Sequence, residues 1–416
     1  MNIIIIGGGF AGMVAARALR KTHHVRVIDP KADFEWIPSA HEILSRSKRP
    51  SNLRIPRRKL LAKKRQAHIQ AKVLSVDVAQ RRVETDTAGG FDYDYLLIAC
   101  GPAPTVVPGA AEHALRIRSI DEMIVARDRL RALATAKQPA VITVVGGGFT
   151  GVEAMGEIIR EHGDQRHLSF RIIEPSDRLL SDQPKKLGER LEKLARKQEV
   201  EVLLSERVTQ VSADAVSLAS GRALPSTLTL WTAGAGAPTF LVKAGLISEG
   251  HSGITVDAGL KAIGHDRIFV AGDLAEHPDR PARQAGNAIA MGKRAGKNIA
   301  RAAKLKAPVA YEAEDSGLIV TFGTEGAFLV MPSGVVFENR DLLRAREAAF
   351  RSGIGLFDAL SRKGGHKRLA KRHRGTPAIA APGRGRVFGQ RHRVWKDLRN
   401  MRDDLLSGKA FDGLPF

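Results

Sequence analysis

The sequence predicts an α/β fold of two Rossmann-like dinucleotide-binding domains, the first discontinuous, followed by a small basic C-terminal region. Two observations predict it. The turn Gly7-Gly8-Gly9-Phe10-Ala11-Gly12 recurs as Gly146-Gly147-Gly148-Phe149-Thr150-Gly151. Each copy follows an apolar run, residues 2–6 or 141–145, and opens an apolar stretch that reads as a helix. A glycine pattern between strand and helix is a dinucleotide fingerprint rather than a chance match.

Each residue of the fingerprint has its own task. The first glycine permits the tight turn, the second lets backbone approach a pyrophosphate, and the third lets helix pack on strand. The helix N-terminus then presents free N–H groups and a positive dipole end to the phosphates. A carboxylate ending the next strand, about 20 residues on, holds ribose hydroxyls. Asp29 ends Val25-Arg26-Val27-Ile28, and Glu174 ends Phe170-Arg171-Ile172-Ile173 after a longer interval that includes the turn at 161–167. Two such sites in one chain imply two nucleotides held close together, and electron transfer between them.

The remaining elements follow in order. After the first unit come residues 34–44, containing His41, and then a basic stretch. Alternation predicts strands over 67–76 and 82–87. Residues 93–100 read as a buried strand that ends at Cys100 and turns at Gly101-Pro102. Residues 118–136 read as an amphipathic helix leading into the second unit. There, 187–198 read as a helix and 200–204, 215–218 and 227–231 as strands, the last turning at Gly234. The chain returns to the first unit at 253–256. An apolar strand then ends in Gly272-Asp273, and an Ala/Gly-rich helix follows over 283–303. Strands are expected near 317–322, 327–331 and 334–337, and beyond them helical or irregular chain with a loop at Gly383-Arg384-Gly385-Arg386-Val387. The expected domains are 1–115 with 250–310, then 116–249, then 311–416.

Composition narrows the function classes. The 416 residues are 43% hydrophobic and 26% charged, as in a globular protein with a sizeable core. No apolar run reaches the ~20 residues that cross a bilayer, and no signal peptide precedes the first strand. The single cysteine, Cys100, excludes an internal disulfide, a redox-active cysteine pair and a thiolate metal cluster, and suits a reducing cytoplasm. Net charge is +22. Residues 46–66 hold ten Lys/Arg and no acid, and residues 351–402 hold fifteen against two acids. Such clusters either attract an anionic membrane, protein or nucleic acid, or form a solvated basic face. An aromatic content of 5% argues against stacking on single-stranded bases.

Taken as a set, the two fingerprints, the Leu96-Leu97-Ile98-Ala99-Cys100-Gly101 segment, Trp231-Thr232-Ala233-Gly234 and Ala271-Gly272-Asp273 resemble the two-dinucleotide-domain flavoproteins. More narrowly, they resemble the type II NADH dehydrogenases and the ferroptosis-suppressor and apoptosis-inducing-factor-like quinone reductases. The resemblance covers residues 2–300. It implies FAD at the first fingerprint, with Gly7, Gly9 and Gly12 under the pyrophosphate, Asp29 on the ribose, Cys100 and Gly101 beside it, and Gly272-Asp273 at the ribityl chain. It implies NADH at the second, with Gly146, Gly148 and Gly151 under the pyrophosphate and Glu174 on the ribose. A carboxylate there repels a 2′-phosphate and favours NADH over NADPH, although Arg178 lies close in sequence.

The resemblance also places Glu153 near the nicotinamide and the flavin edge; its alternative role is pairing with the helix dipole. His41 falls in the segment matching the acceptor side. There it either supplies a proton to a reduced quinone or is an ordinary core histidine. The implied activity is hydride transfer from NADH to FAD, with two electrons passed to a quinone at the inner face of the membrane. The chain departs from type II dehydrogenases in one stretch. Positions beside the quinone that hold glutamine there are Gly286 and Met291 here, as the ferroptosis-suppressor type also lacks them. Membrane-binding C-terminal helices are not evident, and a basic tail attached electrostatically would take their place. Two other readings remain: a reductase of an acidic carrier protein, and an apoptosis-inducing-factor-like polyanion binder.

Overall fold

The computed structural model describes residues 1–19, 23–61, 66–105, 107–248, 250–313, 317–359 and 386–388. Two five-stranded parallel sheets dominate. The first runs Ile268–Val270, Tyr95–Ile98, Asn2–Ile6, His24–Ile28, Gln66–Ile69. The second runs Ala114–Arg116, Leu228–Trp231, Ala140–Val145, Leu168–Ile173, Val200–Leu203. Both fingerprint strands lie at the centre of their sheets. Both are buried nearly throughout, because a parallel sheet is covered on both faces, which is why they read as unbroken apolar runs.

The duplication reaches well beyond the glycine turns. Gly7 N–H donates to Ile28 O at 2.9 Å, and Gly146 N–H to Ile173 O at 2.8 Å. Ala99 N–H donates to Ile6 O at 2.7 Å, and Thr232 N–H to Val145 O at 3.0 Å. The Ile98-Ala99-Cys100-Gly101 and Trp231-Thr232-Ala233-Gly234 segments are therefore the same structural element in the two units. Each unit also carries a three-stranded antiparallel insert, over Val73–Asp77, Arg82–Thr85 and Gly90–Asp92 or Val208–Val211, Ala215–Leu218 and Ala223–Pro225.

Two expectations are corrected. The single strand read over 67–76 is two strands: Gln66–Ile69 joins the parallel sheet, and Val73–Asp77 begins the insert after a turn closed by Ala71 N–H to Ile69 O. Arg386 and Val387, read as loop, belong to a short strand, Arg386–Phe388, antiparallel to Val336–Glu338. Residues 383–385 of that loop lie outside the described residues, as does most of the basic tail.

The C-terminal helix, Leu342–Ala359, ties the two units together. Its Phe357 is buried in the first core, stacked on Phe34 with centroids 4.7 Å apart, and touches Phe10 and Trp36. Its Phe350 is buried in the second core. Four cations of the basic stretch 46–66 are paired with acids, while Arg49, Arg58 and Lys59 stay exposed. Arg46 pairs with Glu161, Lys48 with Glu42 and Glu347, Arg54 with Glu35 and Asp121, and Arg57 with Asp29.

Candidate functional site

Both glycine turns have the shape a pyrophosphate requires. Gly7 and Gly146 adopt φ of +99° and +109°, the left-handed region that favours glycine. A Cβ on Gly12 or Gly151 would collide with the carbonyl oxygen of Gly7 or Gly146. Gly9 and Gly148 differ: their φ values are ordinary, and a Cβ would meet no protein atom within 4 Å. Nothing among the described residues demands glycine there, and the open face leaves room for a ligand against the backbone. The helices that follow, Phe10–Ala18 and Phe149–His162, have no side-chain cap and no acid in the first turn. Helix Ile120–Ala136 of the same chain is capped normally by Ser119. Two uncapped N-termini beside open glycines fit two phosphate groups.

The two strand-end carboxylates expected at the riboses are held alike. Asp29 accepts Gly8 N–H at 2.8 Å and Lys31 N–H at 2.9 Å; Glu174 accepts Gly147 N–H at 2.6 Å and Ser176 N–H at 2.9 Å. Arg57 is particular to the first site. It is 4% exposed, lies 3.0 Å from Asp29, donates to Gly8 O at 2.9 Å and also bonds Lys31 O. Cys100 is solvent-accessible yet surrounded by protein mass, and burial pushes its thiol up to about 12, so it is no thiolate nucleophile. Gly101, at φ +69°, has open space around it.

Gly272 stands against Ala11 of the first helix and Ala288 of the helix Ala285–Ala302. Asp273 therefore follows a turn packed against the first fingerprint helix. Burial pushes its carboxyl up, opposed by the charges of Arg283 and Arg118. It takes no hydrogen bond among the described residues, and Arg118 Nη1 is buried without an acceptor. An acid and an arginine that feel each other's charge, with no hydrogen bond to the acid and an unpaired Nη1 on the arginine, are what a polyol and phosphate ligand would complete. Arg118 was not singled out in the sequence, because nothing local distinguishes it from its neighbour Arg116. Asp273 and Arg283 also line a cavity of about 570 Å³ with Asn287, Ala288 and Met291.

Glu153 and His41 are brought together, but by an unforeseen third residue. Glu153, 8% exposed, accepts Arg346 Nη1 at 2.6 Å and Thr321 N–H at 3.2 Å. Arg346 Nη2 donates to Pro38 O and to His41 Nε2, each at 3.0 Å. That leaves the His41 proton on Nδ1, which lies 3.7 Å from Glu153. Burial and the Arg346 charge push the His41 imidazole down to about 3. It is neutral near pH 7, as the core-histidine alternative expects rather than an imidazolium. Four residues on, Glu157 bonds Ser45; four further, Glu161 pairs with Arg46. The second fingerprint helix thus presents an acid stripe to residues 41–46.

Among the described residues no cluster could hold a metal ion, and no helix is long and apolar enough to cross a membrane. Fold and site together define a flavoprotein with two dinucleotide sites. The chain matches the pyridine nucleotide-disulphide oxidoreductases over residues 1–292 and belongs to that family. With one cysteine it has no redox disulphide of its own. It is 28% identical to an NADH dehydrogenase-like protein of Mycobacterium tuberculosis, across 72% of this chain and 80% of that one. It is 24% identical to a type II NADH:quinone oxidoreductase of Staphylococcus aureus, across 85% and 97%. Its fold is similar to that of NDH2 from Plasmodium falciparum, solved with NADH, at a TM-score of 0.70 and 17% identity, covering 80% and 90%.

Proposed function

We propose that the chain is an NADH:quinone oxidoreductase: hydride passes from NADH at the second fingerprint to FAD at the first, and two electrons leave to a quinone. The observation that carries this reading is the adjacency of Gly272 and Asp273 to both the first fingerprint helix and the 570 Å³ cavity. FAD, when bound, accepts a hydride and releases its electrons to a second acceptor. The chain's residues do the rest. Residues 1–115 and 250–310 form the FAD unit and 116–249 the NADH unit. Gly9 and the free N–H groups at Phe10 hold one pyrophosphate, Asp29 its ribose, and Asp273 with Arg118 the chain beyond it. Gly148 and Glu174 do the same for NADH.

Preference for NADH over NADPH follows from the ribose pocket. Both oxygens of Glu174 face the turn, whereas Arg178 is turned to Asp177 Oδ1 at 3.2 Å and to Ser181 O. A 2′-phosphate would meet the carboxylate. Exposed Arg49, Arg58 and Lys59 support attachment to an anionic membrane, at about 1 kcal/mol per cation near the surface. The test is a visible spectrum of the purified chain, NADH added without oxygen, then a short-chain quinone. Flavin bands that NADH bleaches and quinone restores are the expected result. Bleaching without recovery would replace the quinone by a protein acceptor, and absence of any flavin would overturn the reading.

A further inference from the structure

The cavity beside Asp273 carries a polar pair that neither nucleotide site uses. His251 Nδ1 lies 2.5 Å from Glu276 Oε2, and both residues line the cavity. The other Glu276 oxygen accepts Gly253 N–H at 3.0 Å, so the acid is fixed. Glu276 ends the short strand Ala275–Glu276, which Leu274 separates from Gly272-Asp273, and His251 lies in the turn that leads into its parallel partner, Ile254–Thr255. The cavity's other imidazole is committed to the fold. His277 Nδ1 accepts Asp279 N–H at 3.2 Å, its Nε2 faces Ala258 O at 3.4 Å, and its ring meets Tyr311 edge-on. His251 is different: its side chain is 49% exposed, and with Nδ1 taken by Glu276 its Nε2 is left for a ligand.

We infer that His251, oriented by Glu276, delivers the proton that a quinone takes up as it is reduced in this cavity. The inference rests on the quinone reading above. Quinol formation needs two electrons and two protons. The hydride from NADH carries both electrons and one proton, and the second proton leaves the His251 imidazolium, which water then reprotonates. The charged groups around His251 are Glu276, Asp273, His277, Asp279, Arg280 and Arg283, the last donating to Ser252 Oγ at 3.3 Å. Burial alone would raise the Glu276 carboxyl; the hydrogen bonds from His251 and Gly253 outweigh it and hold it below its usual range.

The test uses the full chain loaded with FAD, reduced by NADH without oxygen, and mixed rapidly with either a short-chain ubiquinone or ferricyanide. Ferricyanide accepts electrons without protons. H251Q is expected to slow reoxidation by the quinone about a hundredfold, the lower end of the range for general-acid catalysis, and to leave ferricyanide unaffected. E276Q, which loosens the ring's mooring, is expected to slow the quinone step and leave ferricyanide unaffected. A second readout needs no turnover. The Glu276 carboxyl, followed by NMR in the chain without nucleotide, should titrate higher in H251A, which removes its hydrogen-bond partner. Equal slowing of both acceptors by H251Q, no slowing of either, or a Glu276 titration indifferent to H251A would overturn the inference. A wild-type protein that NADH bleaches and no quinone reoxidises would overturn it together with the quinone reading, whereas normal quinone reduction by H251Q removes this inference alone.

Discussion

Arg346 Nη1 lies 2.6 Å from Glu153 Oε1, so the C-terminal helix neutralises an acid of the second fingerprint helix in a largely buried setting. Removing one partner of such a pair strands the other's charge, at a cost of about 3–5 kcal/mol. Arg346→Met should therefore lower stability to denaturant by that order. Because the same guanidinium also bonds Pro38 O and His41 Nε2, Arg346→Lys should recover only part of the loss, as an ammonium cannot fork to these partners. Adding Glu153→Gln to Arg346→Met should restore some stability. Additive losses in that double variant would mean that the pair is not coupled.

His41 makes a prediction about acid. Its imidazole is held down to about 3 in the fold, against an unfolded value of 6.5. Below about pH 6.5 the unfolded chain binds a proton that the folded chain refuses, so stability falls as pH drops. Between pH 7 and pH 5 this one group should cost about 2 kcal/mol by linkage. His41→Gln, whose amide oxygen can still accept from Arg346, should flatten that part of the stability profile. Parallel profiles for variant and wild type in denaturant melts would refute the assignment.

The two glycine turns were legible in the sequence because each task is local: a φ, a steric contact and an open face lie within six residues of chain. The acids Asp29 and Glu174 were legible for the same reason, since a strand end fixes where its next side chain points. The Arg346 contact was not. It joins residues 193 positions apart, and no periodicity in 342–359 marks one arginine among several as buried. Arg57 was hidden differently. It sits in a run of cations that reads as a surface patch, and only the fold reveals that it closes over the first glycine turn while Arg58 beside it is exposed. His41 was noticed, but its neutral state depends on a guanidinium some 300 positions away.

The middle and last glycines of each fingerprint should fail in different ways. A side chain at Gly9 meets no protein atom, so Gly9→Val should fold with near-normal stability and lack flavin absorbance. Gly148→Val should retain the flavin and lose bleaching by NADH. Gly12→Ala instead forces a Cβ into the Gly7 carbonyl, and overpacking of this kind costs about 1–3 kcal/mol. Thermal melts and visible spectra of the three variants separate these outcomes. A yellow Gly9→Val protein that no longer reacts with NADH would exchange the two cofactor sites.

Glu174 tests the nucleotide preference. Its carboxylate receives Gly147 N–H and Ser176 N–H, so it is rigid, and a ribose 2′-phosphate would have to approach it directly. Glu174→Gln keeps the turn acceptor and removes the charge. The ratio of kcat/KM for NADH over NADPH should fall about tenfold, equivalent to roughly 1.4 kcal/mol of discrimination. Arg178→Ala should leave the ratio nearly unchanged, because both terminal nitrogens of its guanidinium are turned to Asp177 and Ser181. If Arg178→Ala alone changed the ratio while Glu174→Gln did not, the arginine would be reading the 2′ position and the preference would run toward NADPH.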